Sequence, residues 1–336
     1  TLVFWGSDYL WLEALICLKQ SYGPPFLPWL VWGAARLTVL FAWALVNLIS
    51  SLRFQKFALS RKWWLAVNLF LFALGGYSFY IEPFMLMDTH HEIETTDIKA
   101  ASSFRIVQVS DIHVERLTRR EYALIRHVNA LDPDVVVVTG DYPNLSFIND
   151  VGTWDQITYI VNHFKARYGV YLINGSNESP ERVRQLAQDS HAIALTDRVE
   201  TIHWDGGQIV LMGVNDIHYH QPPVKEFTTL SREVKPDQFV VLLHHTPDLA
   251  ETAFNQNIDL YLAGHTHGGQ IRVPFYGAIF TSSIFGKKYE MGLYKIGGMT
   301  LYVNRGVGME GMDAPRARFL AAPEVAVFDL VGTETN

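Results

Sequence analysis

Two long apolar runs limit what this chain can fold into more than any other feature. Residues 26–50 and 64–87 each exceed the about 20 apolar residues that a helix needs to cross a bilayer. Neither carries a polar stripe of helical period, so they do not read as surface helices of a water-soluble core. Seven of the nine tryptophans precede position 65, several near the ends of the runs, where an interfacial aromatic belt would hold them. Residues 2–18 add a partial third span, set off by Pro24, Pro25 and Pro28. Arg36 is the charged exception inside the first run. Facing a protein interior with Glu13 as its partner would satisfy it, as would snorkelling to the interface.

Charge supplies an orientation. The loop 51–63 contains Arg53, Lys56, Arg61 and Lys62 and no acidic residue, which places it in the cytoplasm by the positive-inside rule. Asp88, Glu92, Glu94 and Asp97 follow the second run. The expected organisation is therefore a multi-pass anchor over 1–87, a linker over 88–103 and a globular part over 104–332. That globular part would lie outside the cytoplasm, on a cell inner or plasma membrane. Residues 1–87 carry six of the 27 basic and three of the 34 acidic residues, a net +3, and the remainder carries −10. An acidic globular part excludes nucleic acid binding through a basic face. With 49% hydrophobic residues, disordered and collagen-like classes are excluded too. Cys17 is the only cysteine, so neither an internal disulfide nor a thiolate metal site can form.

From about residue 104 the pattern changes to an α/β domain. RIVQVSD, DVVVVTGD, GVYLING, QIVLMGVND, QFVVLLHH and IDLYLAGH are short β-rich runs ending in polar or Gly residues. Near-continuous apolar runs mark strands buried on both faces. The polar ends carry the chemistry: Asp111 and His113, Asp141, His245, then His265 and His267. In extended chain, residues i and i+2 point the same way, so each D-x-H or H-x-H pair converges on one site. Carboxylates with neutral imidazoles suit Mn, Fe, Zn or similar ions. A carboxylate such as Asp141 can bridge two ions about 3.5–4 Å apart.

D-x-H, G-D, a G-N-H-D/E position, H and G-H-x-H, in this order, resemble the calcineurin-like metallophosphoesterase superfamily over residues 104 to about 330. Spans followed by SDIH and GHTHGGQ are similar to its membrane-anchored bacterial branch, which includes enzymes that cleave the pyrophosphate of UDP-diacylglucosamine. The resemblance implies a sandwich of two mixed sheets flanked by helices, preceded here by transmembrane helices. It implies two divalent ions, with Asp111, His113, Asp141 and His267 on the first and Asp141, His245 and His265 on the second.

One element departs from that pattern. Gly175-Ser176-Asn177-Glu178 stands where the family has G-N-H-D/E. Aligned without a gap, Ser176 replaces a ligand of the second ion and Asn177 replaces the general-acid His. A one-residue slip would instead keep Asn177 as the ligand. Asn is no general acid near neutral pH, so no catalytic acid is identified. Leaving groups already stable as anions should suffer least from that loss.

The expected function is therefore a membrane-anchored two-metal phosphoesterase. Hydroxide attack would cleave a phosphodiester or pyrophosphate bond in an amphipathic or lipid-linked substrate. The alternative is a degenerate, non-catalytic subunit of a membrane complex. Expected partners are the bilayer, that phosphate-containing substrate and other membrane proteins. Phe275 to Phe280 and Ile284-Phe285 read as packed core, a mobile lid or a lipid-binding wall, with Lys287 and Lys288 placed for an anionic head group. His218 and His220 lack a third ligand motif. Gly306-x-Gly308-x-x-Gly311 imitates a dinucleotide fingerprint, but Pro315 interrupts the helix that motif requires. Gly268 and Gly269 are expected to let backbone pass close to the ions.

Overall fold

The structure is a computed structural model and describes residues 2–52, 61–216, 222–312 and 315–334. It opens with three helices, α1 (Leu2–Cys17), α2 (Phe26–Leu52) and α3 (Arg61–Gly76). The last continues through a π turn at Tyr77–Ile81 and a 3-10 turn at Glu82–Phe84. Phe26–Ser51 and Lys62–Phe84 are long and apolar enough to cross a membrane, and only 11% and 22% of their most apolar windows are buried. Phe41, Leu69 and Phe70 stand exposed on them. Buried core helices of a soluble protein would not present such faces.

The second apolar run ends earlier than its composition suggests. Its helix stops at Phe84, just after Pro83, and Met87 already starts a strand. The described part of α1 is 16 residues long. It packs on the other two helices, with Trp5 over Gly33 and Trp11 over Gly75, where a Cβ would collide with or press on the indole rings.

The partner of Arg36 is Asp8, not Glu13. Both side chains are fully buried and joined by two bonds, Nε to Asp8 at 2.6 Å and the second guanidinium nitrogen at 2.9 Å. Arg36 also donates to the side-chain and backbone oxygens of Asn68, at 3.0 and 3.2 Å. One guanidinium thus ties α1, α2 and α3 together. Most of the basic loop, residues 53–60, lies outside the described residues.

The remaining chain forms two six-stranded sheets packed face to face. The strands are β1 (Met87–Thr95), β2 (Ser103–Val109), β3 (Val135–Val138), β4 (Val170–Leu172), β5 (Ile193–Ala194), β6 (Arg198–Trp204) and β7 (Gly207–Gly213). They continue with β8 (Phe239–Leu243), β9 (Leu260–Ala263), β10 (Arg272–Val273), β11 (Gly277–Ala278), β12 (Gly292–Ile296), β13 (Met299–Val303) and β14 (Glu324–Gly332). One sheet runs β1-β14-β2-β3-β4-β5 and the other β12-β13-β9-β8-β7-β6. Each mixes parallel and antiparallel pairs, while β2, β3 and β4 and likewise β7, β8, β9 and β13 run parallel.

Successive residues point to opposite faces, so each central strand feeds two cores. Ile106, Val135 and Val137 meet Leu211, Val241 and Leu262 between the sheets. Val107, Val136 and Val138 pack outward under α4 (Arg119–Ala130) and α5 (Val151–His163). Val240, Leu242 and Tyr261 pack under α7 (Val224–Leu230) and α8 (Ala250–Ala253), whereas α6 (Pro180–Gln188) lies with the first group. The expected sandwich is present, with helices outside.

The stretch read as a linker, 88–103, instead contains most of β1, a nine-residue edge strand paired in parallel with β14. Its DTHHEIE sequence hid it, because an edge strand keeps polar side chains on its open face.

Removing one partner of the buried helix knot leaves an uncompensated charge. Asp8→Ala should cost about 3–5 kcal/mol, read as a lower melting temperature of the full chain in micelles. Asp8→Leu combined with Arg36→Met should recover most of that loss.

Candidate metal centre

Parallel strands of both sheets end at one edge, and the polar residues after them meet there. Asp111 and His113 follow β2, Asp141 follows β3, the Gly175–Glu178 turn follows β4, His245 follows β8, and His265 and His267 follow β9. Backbone bonds fasten these ends to each other. Asp111 donates its N–H to Gly140 O (3.0 Å), His113 to Asp141 O (3.1 Å) and Gly264 to His245 O (2.7 Å). The sheets are joined at the same place, since the Asp111 carboxylate accepts the His265 N–H at 3.1 Å. Fully buried Gln108 donates both to Thr139 Oγ1 and to Ala263 O, each at 3.0 Å.

The convergence is not that of extended chain. Asp111, His113, Asp141, His265 and His267 all have left-handed φ, between 44° and 69°. Tight left-handed turns, not strand alternation, aim the side chains inward. Asp and His tolerate this region better than most residues, yet each such position still costs about 1–3 kcal/mol.

Two triads result. Asp111, His113 and His267 form one, and Asp141, His245 and His265 the other, with ligand atoms within 4.8 Å of one another and every residue buried. The Nε2 atoms of His113 and His267 face each other at 2.9 Å, and His267 Nε2 lies 3.4 Å from Asp111. His245 Nε2 lies 3.0 Å from His265 Nδ1 and 3.3 Å from Asp141. His113 Nε2 is 3.7 Å from Asp141, so that carboxylate borders both triads. Ligands about 2.0–2.1 Å from one ion stand roughly 3.0–3.4 Å apart, the range of these closest spacings. The donor set therefore fits divalent cations.

Supporting contacts prepare the nitrogens. His245 Nδ1 is 2.7 Å from Thr139 O, a contact that requires its N–H there and leaves Nε2 as the nitrogen that faces Asp141. His244, its neighbour in sequence, turns away from the cluster: its Nδ1 meets Val214 O at 3.0 Å and its Nε2 meets Thr246 Oγ1 at 3.2 Å. Burial lowers His244 to about 4 and His265 to about 3 and also depresses His267, so these imidazoles are neutral near pH 7. Burial opposes the charged forms of Asp141 and His245 as well. Their mutual attraction, helped by His113 at Asp141 and by Asp111 at His245, outweighs it: the carboxyl is held low and the imidazole high.

Both readings of the 175–178 turn can now be compared. Ser176 Oγ lies 3.2 Å from both Asp141 oxygens, and Glu178 accepts the backbone N–H groups of Asp141, Tyr142 and Gly175. Asn177 instead points its amide nitrogen at Pro143 O (3.2 Å) and at Nδ1, the outer nitrogen of His113 (3.4 Å). The side chain of Asn177 thus lies beside His113, on the side away from the Nε2 that faces the cluster, while its backbone N–H donates to Asp141 at 3.0 Å.

Sequence reasoning missed Glu310. The loop after β13 brings its carboxylate to 3.9 Å from His113 Nε2, in a third group with His113 and Asp141. It lay inside the glycine pattern set aside as a false fingerprint. A Cβ on Gly306 would strike Asp111, and one on Gly308 would strike Ile112 O and the His113 Cβ. Those glycines let the loop pass against the D-I-H turn, and Glu310 rides on it. Gly268 and Gly269, by contrast, make room for Met291 and Ala278 rather than for the ligands.

Elsewhere, Phe275, Tyr276, Ile279 and Phe280 are exposed rather than packed in a core. Lys287 stacks on Tyr276 at 3.5 Å, and Lys288 pairs with Glu251. His218 and His220 lie outside the described residues.

Replacing the shared carboxylate should empty the cluster. Asp141→Asn is expected to lower bound metal, measured by elemental analysis of purified protein, by at least about tenfold. Stability of the chelated protein should fall as pH rises from about 6.5 to about 8. Burial and Asp141 push Glu178 up to about 8; its contribution is complete below its unfolded value near 4.5 and is lost as pH climbs through about 8. Raised His245 acts in the same direction above 6.5. His265, held low, has already given its full contribution there. Thermal melts in chelator should show this decline, and Glu178→Gln should flatten it.

The family model for calcineurin-like phosphoesterase matches residues 104–269. The chain is 33% identical over 276 residues to the uncharacterized metallophosphoesterase YkuE of Bacillus subtilis, covering 78% of this chain and 92% of that one. It is 29% identical over 269 residues to phosphodiesterase YaeI of Escherichia coli, covering 76% and 92%. A transmembrane protein with metallophosphoesterase domain from Bos taurus is 26% identical over 236 residues, covering 63% of this chain and 50% of that one. With the ligand order of the family gathered at one sheet edge, and a relative of this identity matched over nearly its whole length, the chain belongs to the calcineurin-like phosphoesterases, a family of metal-dependent hydrolases.

Proposed function

We propose that this chain is a membrane-anchored phosphoesterase that holds two divalent ions of the Mn, Fe or Zn class. Its substrates are phosphodiesters or pyrophosphates, in amphipathic or lipid-linked molecules, whose leaving group is already stable as an anion. The observation that carries this reading is the pair of buried triads bordering one carboxylate, Asp141. Bound ions would supply charge for the phosphoryl oxygens and an acidified water as nucleophile.

The protein's own residues do the rest. Thr139 O orients His245, and the Asp111 carboxylate is fixed by the His265 N–H. Water is largely excluded, which strengthens each electrostatic contact. Asn177, in the position of the family's acid, has only amide protons and cannot give one to a leaving alkoxide. Six carboxylate and imidazole groups support the catalytic reading, whereas Ser176 on Asp141 favours the second reading, a non-catalytic subunit of a membrane complex.

Topology belongs to the same proposal. The one-signed loop at 51–63 supports a cytoplasmic loop between two spans and a catalytic domain on the outer face. The bilayer, and membrane proteins within it, are then the neighbours of this chain.

Full-length protein with Mn²⁺ should hydrolyse a bis-aryl phosphodiester, and alkyl monoesters at least on the order of 100-fold more slowly, the contribution of a missing general acid. Two ions per chain should accompany turnover. Absence of both metal and turnover would overturn the phosphoesterase reading and favour the subunit reading instead.

A further inference from the structure

The anchor and the hydrolase domain enclose a groove that no part of the metal centre uses. Leu27, Val31 and Trp32 of α2, Leu74 of α3 and Phe79 of the π turn face Phe319 across it, with Ile271 at its catalytic end. It encloses about 290 Å³, near the lower bound of about 300 Å³ for small-ligand sites. Ser78 is the one residue among its lining with a hydroxyl. Trp32 also carries a buried indole N–H with no acceptor among the described residues.

We propose that this groove seats a single acyl chain of the substrate while its phosphate lies at the metal centre. The proposal rests on the phosphoesterase reading above and adds where the tail binds. Two observations favour a lipid tail as occupant. Two walls belong to the helices of bilayer length, whose other faces are bare and apolar, so hydrocarbon surrounds the mouth. The groove is also near the ligands in the chain: Ile271, on its lining, follows His267 by four residues, at most about 14 Å of chain. Between them, Phe319 donates its N–H to Gln270 O at 3.0 Å.

The β10–β11 hairpin that continues from Ile271 exposes Phe275, Tyr276, Ile279 and Phe280, a surface suited to the same hydrocarbon medium.

Full-length protein in phosphatidylcholine nanodiscs tests this in two ways. With a phosphatidylcholine carrying a diazirine at mid-tail, photolabel should concentrate on peptides containing Leu74, Phe79 and Phe319. Val31→Trp, which narrows the groove, should reduce that label at least about fivefold. Label spread evenly over peptides containing Phe41 and Phe70, or captured by a co-purified polypeptide, would overturn the proposal. In the second arm, aryl phosphodiesters with two-carbon and twelve-carbon tails are compared. Val31→Trp should raise KM for the long-tailed ester about tenfold and leave kcat/KM for the short one unchanged. Turnover indifferent to tail length, with even labelling, would sink the groove alone. No turnover of either ester would sink the phosphoesterase reading, while the labelling arm would still decide the groove.

Discussion

The carboxylate of Asp141 is the point on which this structure turns. It lies in a pocket closed to water, beside Asp111 and ringed by His113, His245 and His265. Two carboxylates that close repel each other, and the surrounding imidazoles, of which His265 and His267 are held neutral by burial, answer only part of that charge. Divalent cations would complete the balance, which is why the cluster reads as a binding site and not as a structural polar core. Holding it together is costly. Five of the six ligand residues sit at left-handed φ, and such strain persists only where the surroundings over-determine it. Two sheets of fully buried Val, Ile and Leu, stitched at their shared edge by Gln108 and by the bond from His265 N–H to Asp111, provide that support.

The N-terminal helices reach the ligand-bearing loops directly. The Ser78 carbonyl, in the π turn, accepts the backbone N–H of Arg318 at 2.9 Å, and the Arg318 side chain in turn reaches His267 Nδ1 and the carbonyls of the loop bearing Glu310. Glu115, two residues beyond His113, pairs with Arg316 and accepts the Tyr22 N–H from the α1–α2 connection. Arg119 lies over Phe84 at 3.9 Å. The ligand-bearing end of the sandwich is therefore the end docked on the apolar N-terminal helices.

Parts of this were legible in the chain and parts were not, for identifiable reasons. Runs such as Val135–Val138 announce strands buried on both faces, and the polar residues that end them announce the site, because local pattern and tertiary role agree there. β1 was hidden, because an edge strand needs no apolar alternation on its open face. Asp8 was passed over in favour of Glu13 because spacing along one helix says nothing about which side chain faces a second helix. Glu310 escaped because its loop is held by glycines whose purpose, clearance past Asp111 and His113, exists only once the D-I-H turn is in place.

The linear order of carboxylates, imidazoles and apolar runs was enough to determine an α/β hydrolase domain behind bilayer-length helices, since ligand chemistry and burial periodicity are local properties of a chain. Which of Ser176 and Asn177 faces Asp141, which acid neutralises Arg36, and that a groove opens between anchor and domain were decided only by tertiary structure. Each depends on the direction a side chain takes once distant segments pack, and that direction is set by neighbours that sequence separation does not reveal.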